Sequence, residues 1–159
     1  MHKIGFGYDI HRFEPGRRLI LGGIVLPSEA GLAGHSDGDA LVHAVIDALL
    51  GALGEGDIGT HFPDDDARYK GARSTGLLAT VMEFVRERRA TVMNIDGVIV
   101  AEEPKMGPHI PAMKAALAPL LGLPESAVGI KAKTNEGLGP VGEKRAIACF
   151  AVALLSLPD

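Results

Sequence analysis

Three short stretches of this chain carry side chains that can share one cation. Asp9-Ile10-His11 lies in an alternating segment, His35-Ser36 precedes a helical one, and His43 sits in that helix's first turns. A carboxylate and two imidazoles make three ligands, one short of the tetrahedral set zinc prefers, and a position left open is the mark of catalytic sites. Asp9 and His11 are two apart, so on a strand both face one side while Ile10 faces the other. Ser36, Asp39, His43 and Asp47 recur at three-four-four spacing and would share one stripe of a helix. Leu41, Val42, Val45, Ile46 and Leu49 between them must face a core, so that stripe is only partly wet. A buried carboxylate without a partner costs on the order of several kcal/mol or shifts its pKa; a shared cation removes the difficulty. Each residue alone reads equally well as an ordinary core or surface side chain. The conjunction points to a metal.

The same region suits a phosphate. A helix start presents free N–H groups and a positive dipole end. Gly34-His35-Ser36-Asp37-Gly38 is compact enough to admit an anion, although Asp37 and Asp39 repel one unless a cation intervenes. Gly5-Phe6-Gly7 has half of a dinucleotide fingerprint, but it leads into Asp9 and His11 instead of a helix, which excludes that fold. Lys105 is a phosphate partner or a plain surface lysine. Asp64-Asp65-Asp66 reads as a solvated turn. Lys133-Thr134-Asn135-Glu136 either lines a site or serves the glycine-rich turn that follows.

The elements that must position these groups follow from period and punctuation. With 159 residues, 47% of them hydrophobic, the chain suits a single domain over 1–159 with a real core. A net charge of −4 leaves no basic surplus for nucleic acid or an anionic membrane, and 4% aromatics argues against a base-stacking platform. The one cysteine, Cys149, sits in the apolar run Ala146 to Leu155 and reads as a core thiol in a reducing compartment. The N-terminus shows no signal segment, so a cytoplasmic location is expected.

The pattern predicts a strand over Lys3–His11, weakened by two glycines, and a tight hairpin of Leu19–Leu21 and Ile24–Leu26. A helix is expected from Ser36, with Ser36 as cap and Asp39 completing a capping box, to Leu53. Further helices are expected over Ser74–Arg88 and from Gly107 to near Gly122. Strands are expected over Thr91–Ala101, Val128–Thr134 and Ala146–Leu155, with a loop at Gly137–Pro140. Uneven connections favour a two-layer α+β sandwich, a mixed sheet with helices on one face. Its bare face would pack against other subunits.

Taken in order, Gly7-Tyr8-Asp9-Ile10-His11, Leu21-Gly22-Gly23, His35-Ser36-Asp37-Gly38-Asp39, Asp47-Ala48-Leu49-Leu50-Gly51, Gly56-Asp57-Ile58-Gly59, Phe62-Pro63-Asp64, Pro104-Lys105-Met106 and Thr134-Asn135-Glu136-Gly137-Leu138-Gly139 resemble the 2-C-methyl-D-erythritol 2,4-cyclodiphosphate synthase family over nearly the whole chain. The resemblance implies cyclisation of 4-diphosphocytidyl-2-C-methyl-D-erythritol 2-phosphate with loss of CMP, in the non-mevalonate isoprenoid pathway, by a homotrimer with sites between subunits. It implies zinc on Asp9, His11 and His43, and Mg²⁺ or Mn²⁺ on Glu136. His35 and Thr134 would steady the transition state, and Ser36 would hold phosphate or the sugar end. Asp57, Gly59 and the loop carrying Phe62, Asp64 and Asp66 would cradle the methylerythritol end. Ala101, Lys105, Met106 and Lys133 would hold the cytidine diphosphate.

One stretch departs from the family. Pro140-Val141-Gly142-Glu143-Lys144-Arg145 stands where the family has an aromatic and the opposite order of Arg and Glu, around a cavity on the trimer axis. The resemblance then implies a Glu143–Arg145 pair between subunits, with trimerisation kept and axial diphosphate binding altered. On residues alone, a zinc phosphohydrolase or a non-catalytic ligand-binding trimer remain alternatives, separated from the synthase by whether CMP forms without net hydrolysis.

Overall fold

The computed structural model describes residues 1–158. The first strand, β1 (His2–Pro15), is longer than its glycines suggest. Those glycines are where the first helix, α1 (Ala40–Leu53), lies directly on the strand. A Cβ on Gly5 would overlap the Ala48 carbonyl oxygen, and one on Gly7 the Ala44 carbonyl oxygen. Small residues on both partners bring helix and strand backbones together, with Gly5, Gly7, Asp9 and His11 all on the helix side.

The hairpin forms as expected, β2 (Leu19–Leu21) against β3 (Ile24–Leu26), followed by a short β4 (Ala30–Leu32). The remaining elements are α2 (Ile58–His61), α3 (Ser74–Glu87), β5 (Thr91–Val100), α4 (Ile110–Leu121), β6 (Val128–Lys133), α5 (Gly139–Gly142) and β7 (Ala146–Ser156). The five-stranded sheet has the order β4-β1-β7-β5-β6. β7 is antiparallel to both β1 and β5, whereas β5 and β6 are parallel, so the sheet is mixed. The longer helices cover one face. Leu41, Leu49, Leu78, Ile95, Ile99 and Met113 are fully buried between them and the sheet. Cys149 is in that core, its thiol pushed up by burial. Among the described residues no helix is long and apolar enough to cross a membrane.

The opposite face is uncovered around β1 and β7. Ile4, Phe6, Tyr8, Ile10 and Val152 are exposed there, and the Phe150 ring lies 4.9 Å from Tyr8 and 6.1 Å from Phe6. Burying apolar surface of this kind contributes roughly 25 cal/mol per Å², so a contiguous apolar face marks a contact surface.

Three expectations are corrected. The first helix starts at Ala40, and its cap is Asp39, whose carboxylate accepts from Val42 N–H; Ser36 is no cap. Gly38, at φ 76°, breaks the chain direction before the helix. The loop at Gly137–Pro140 runs into the short α5. β4 and α2 were not expected, being three and four residues long. They are too short to show a period, and contacts with other elements fix them: β4 pairs with Phe13–Pro15, and α2, capped by Asp57, is held to α1 by Asp47 accepting from Ile58 N–H.

Candidate metal centre and its pocket

Strand pleat brings Asp9 and His11 to the helix side of β1, and His43 on the first turn of α1 meets them there. Asp9 Oδ2 lies 2.7 Å from His11 Nε2 and 2.9 Å from His43 Nδ1, and the two ring nitrogens are 3.2 Å apart. One donor atom from each residue falls within 4.8 Å of the others. At metal–ligand lengths of about 2.0–2.2 Å, tetrahedral neighbours stand roughly 3.4 Å apart. The set therefore needs to open by less than about 1 Å to hold zinc, and its N and O donors suit that ion.

Ring orientation is fixed from behind. The His11 Nδ1–H donates to the Ala33 carbonyl at 2.5 Å, which leaves Nε2 as the lone-pair side facing the cluster. Burial pushes the Asp9 carboxyl up, but hydrogen bonds and charge from His11 and His43 outweigh it, and Asp9 ends well below the usual carboxylate range. Burial lowers the His11 pKa, but Asp9 and the Ala33 carbonyl more than reverse this, so it ends raised. The cluster thus pairs an ionised carboxylate with a His11 ring that holds its proton readily until a cation replaces it.

The cluster floors a cavity of about 200 Å³ whose walls include His35, Ser36, Gly59, Phe62, Asp64, Tyr69 and Leu77. His35 Nε2 is 3.2 Å from the Asp66 carbonyl, tying the loop after Phe62 to the pocket rim. Asp66 itself turns away to Arg68, 2.6 Å distant, and caps the turn Ala67–Tyr69. Asp57 holds Thr60 through its side chain and so sets α2, whose Ile58 and Gly59 form one wall.

Two carboxylates expected on the metal stripe are occupied elsewhere. Asp39 is fully buried and accepts from Gly22, Gly23 and Val42 N–H at 2.9, 2.7 and 3.0 Å. It needs no cation, because three backbone donors satisfy it. Burial still leaves its pKa raised. Asp47 accepts from Ile58 N–H at 2.8 Å and anchors α2.

The rest of the expected site lies at the other end of the sheet. Ala101, Lys105, Met106, Lys133, Thr134 and Glu136 gather where the parallel strands β5 and β6 end. Ala101 N–H donates to the Lys133 carbonyl at 2.9 Å. The Thr134 hydroxyl donates to Glu136 at 3.2 Å, and Glu102 accepts from Asn135 N–H at 2.8 Å. Ala101 and Met106 are buried, while Lys105, Lys133, Thr134 and Glu136 are exposed. Strands β7 and β5 separate β1 from β6, roughly 14 Å at the usual spacing. None of these six residues lines the metal pocket. Glu143 and Arg145 pair within the chain at 2.6 Å, whereas a pair between subunits was expected.

Ile58, Tyr69, Leu77 and the buried Ser74 were not anticipated as site residues. Tyr69 and Leu77 enter because α3 and the loop before it pack beside α1, a long-range event that no local pattern announces.

Fold and site together define an α+β protein with a two-histidine, one-carboxylate cluster that could hold a metal ion in a small pocket. The chain belongs to the YgbB family, whose pattern matches residues 2–156. It is 56% identical over 153 residues to the 2-C-methyl-D-erythritol 2,4-cyclodiphosphate synthase of Gloeobacter violaceus, covering 96% of this chain and 94% of that one. The bifunctional IspDF structure from Campylobacter jejuni superposes with a TM-score of 0.95 at 39% identity, covering all of this chain, which spans 43% of that longer one. A 2C-methyl-D-erythritol-2,4-cyclodiphosphate synthase in its CDP-bound form superposes with a TM-score of 0.89 at 44% identity, over 97% of this chain and 100% of that one.

Proposed function

We propose that the whole chain, as one domain, is a metal-dependent lyase that closes 4-diphosphocytidyl-2-C-methyl-D-erythritol 2-phosphate into 2-C-methyl-D-erythritol 2,4-cyclodiphosphate with release of CMP. The observation that carries this reading is the convergence of Asp9, His11 and His43 on one point in the pocket, in a chain so similar to synthases named for that product. An oxygen of the 2-phosphate bonds to the β-phosphorus. The bond from that phosphorus to the oxygen bridging to the α-phosphate breaks, and its electron pair leaves with CMP.

A phosphate monoester has a second pKa near 6, so the nucleophile is largely ionised at neutral pH and needs no strong base. The obstacle is charge. Asp9, His11 and His43 would hold zinc, and Glu136 a second divalent ion, Mg²⁺ or Mn²⁺. When bound, these ions supply Lewis acidity to the phosphoryl oxygens. His35 and Ser36 donate hydrogen bonds toward phosphate at the pocket rim, and Thr134 does so from the β6 end. Asp57 and Asp66 fix the walls, while Gly59, Phe62 and Asp64 enclose the polyol. Lys105 and Lys133 offset charge on the cytidine diphosphate, which lies on the backbone of Ala101 to Met106. Holding both ends of one folded substrate adds a proximity contribution of up to about 7–11 kcal/mol.

The two halves of the site stand three strands apart in one chain. A homotrimer in which the β6 end of one subunit meets the metal pocket of its neighbour joins them, and the exposed apolar face of β1 and β7 supports that assembly. The single buried Cys149 supports a cytoplasmic enzyme. Incubation with the authentic substrate tests the reading. Stoichiometric CMP with no inorganic phosphate is expected. Phosphate release with oxygen-18 incorporated from water would make the protein a hydrolase instead. Glu136→Gln is expected to weaken the response to Mg²⁺ or Mn²⁺ while leaving zinc content unchanged.

A further inference from the structure

We infer that Asp37 and Ser74 form a proton-ordered relay behind His43, which fixes the ring so that Nδ1 faces the metal. The inference rests on the zinc reading of Asp9, His11 and His43.

The geometry is a chain of three groups. The His43 ring is buried, and its Nε2 lies 2.8 Å from Ser74 Oγ and 3.1 Å from Ser36 Oγ. Ser74 is fully buried. Its hydroxyl in turn donates to Asp37 Oδ1 in a short hydrogen bond. Asp37 Oδ2 accepts from Ser74 N–H at 3.0 Å, and Oδ1 also accepts from Asp39 N–H at 3.2 Å.

Hydrogen-bond chemistry sets the direction. A carboxylate only accepts, so Ser74 must spend its single proton on Asp37. Its oxygen is then left as an acceptor toward His43. The neutral imidazole answers by carrying its proton on Nε2, and the lone pair is placed on Nδ1, the atom that meets Asp9 and His11. His11 has the mirror arrangement, with Nδ1 held by the Ala33 carbonyl and Nε2 turned toward Asp9 and His43. The two rings thus present opposite nitrogens to one point, each held from behind by a different kind of acceptor. Because Ser74 satisfies His43, the Ser36 hydroxyl is released to donate into the pocket it lines.

Asp37 also caps α3, since no side chain of the preceding residue does so. A purely structural role would therefore be the competing explanation. Ser74→Ala separates the two, because it removes the hydroxyl but keeps the backbone N–H that Asp37 caps. Such partners of metal-binding histidines are typically worth about 10–100-fold in metal affinity. Zinc affinity of the full-length protein, measured by competition with a chromophoric chelator, should therefore fall about 10–100-fold in Ser74→Ala. The unfolding midpoint of the metal-stripped variant should stay close to that of the parent. In the zinc-loaded parent, a slowly exchanging His43 Nε2 proton should appear by NMR and be lost in Ser74→Ala. Asp37→Asn should also lose affinity, because an amide can turn its NH2 toward Ser74 and reverse the chain. Zinc affinity within twofold of the parent in Ser74→Ala would overturn the relay. So would a loss matched by equal destabilisation of the metal-stripped form. If the parent binds no zinc that His43→Ala abolishes, the metal reading fails first and the relay falls with it.

Discussion

At the residue scale, Asp9 and His11 each alter the other's titration, and the signs give a pH window. Asp9 has a lowered pKa when folded, so its contribution to stability is present above its unfolded value, around 4, and is lost as pH falls below that. His11 has a raised pKa, so its contribution is complete below about 6.5 and is lost as pH rises through the folded value. The metal-stripped protein should therefore gain most from this pair between about pH 4 and 6.5. Zinc demands the unprotonated ring, so zinc affinity should rise with pH across the neutral range. Chelator competition at pH 6 and pH 8 checks this, and equal affinities would contradict it. Asp39 makes a separate prediction. Asp39→Ala strands three backbone donors behind the hairpin and should cost about 3–5 kcal/mol, read from the urea midpoint. Asp39→Asn, which keeps an acceptor, should cost less.

At the element scale, the site exists because α1 lies directly on β1. Gly5 and Gly7 permit this contact, and it sets the height at which His43 reaches Asp9 and His11. From the sequence these glycines look like weak points in a strand, because their value depends on a helix more than thirty residues away. Gly7→Ala would drive a methyl into the Ala44 carbonyl, one position from His43. Overpacking of this kind costs about 1–3 kcal/mol or more. The variant should be destabilised by at least that much and should lose zinc as well. A folded variant with parental zinc content would show that helix height does not set the cluster. The hairpin and the three long helices were legible from period and punctuation, whereas the apolar run Ala146–Leu155 reads as strand only through the strand and glycine-rich loop before it. The start of α1 was not, because Ser36 and Asp39 both suit a cap, and only Gly38 with its left-handed backbone decides between them.

At the scale of the whole molecule, the bare face and the divided site lead to the same expectation. Phe6, Tyr8 and Phe150 stack on the side away from the helices, where a charge would be intolerable only if the face is covered. Light scattering should give the mass of three chains. Phe6→Glu should shift the protein toward monomer and abolish CMP formation, while each monomer keeps the residues of the zinc cluster. A parent that remains monomeric at enzyme-assay concentrations, yet turns over, would refute the joined-site assembly. The intrachain Glu143–Arg145 pair bears on the axis of that trimer. With both charges satisfied within one chain, titration with geranyl diphosphate should show no tight site per trimer.

The residue types and their order were enough to nominate the metal cluster, the fold class and the family, because ligand chemistry and apolar period are local properties written in short windows. Tertiary structure alone decided which carboxylate meets which donor. Asp9 reaches the imidazoles, Asp39 is taken by the Gly22-Gly23 turn, and Asp37 is taken by Ser74. Apart from His11, two residues from Asp9, those partners lie 16 to 37 residues away, and a carboxylate's fate depends on which buried N–H or O–H arrives beside it once the chain has closed.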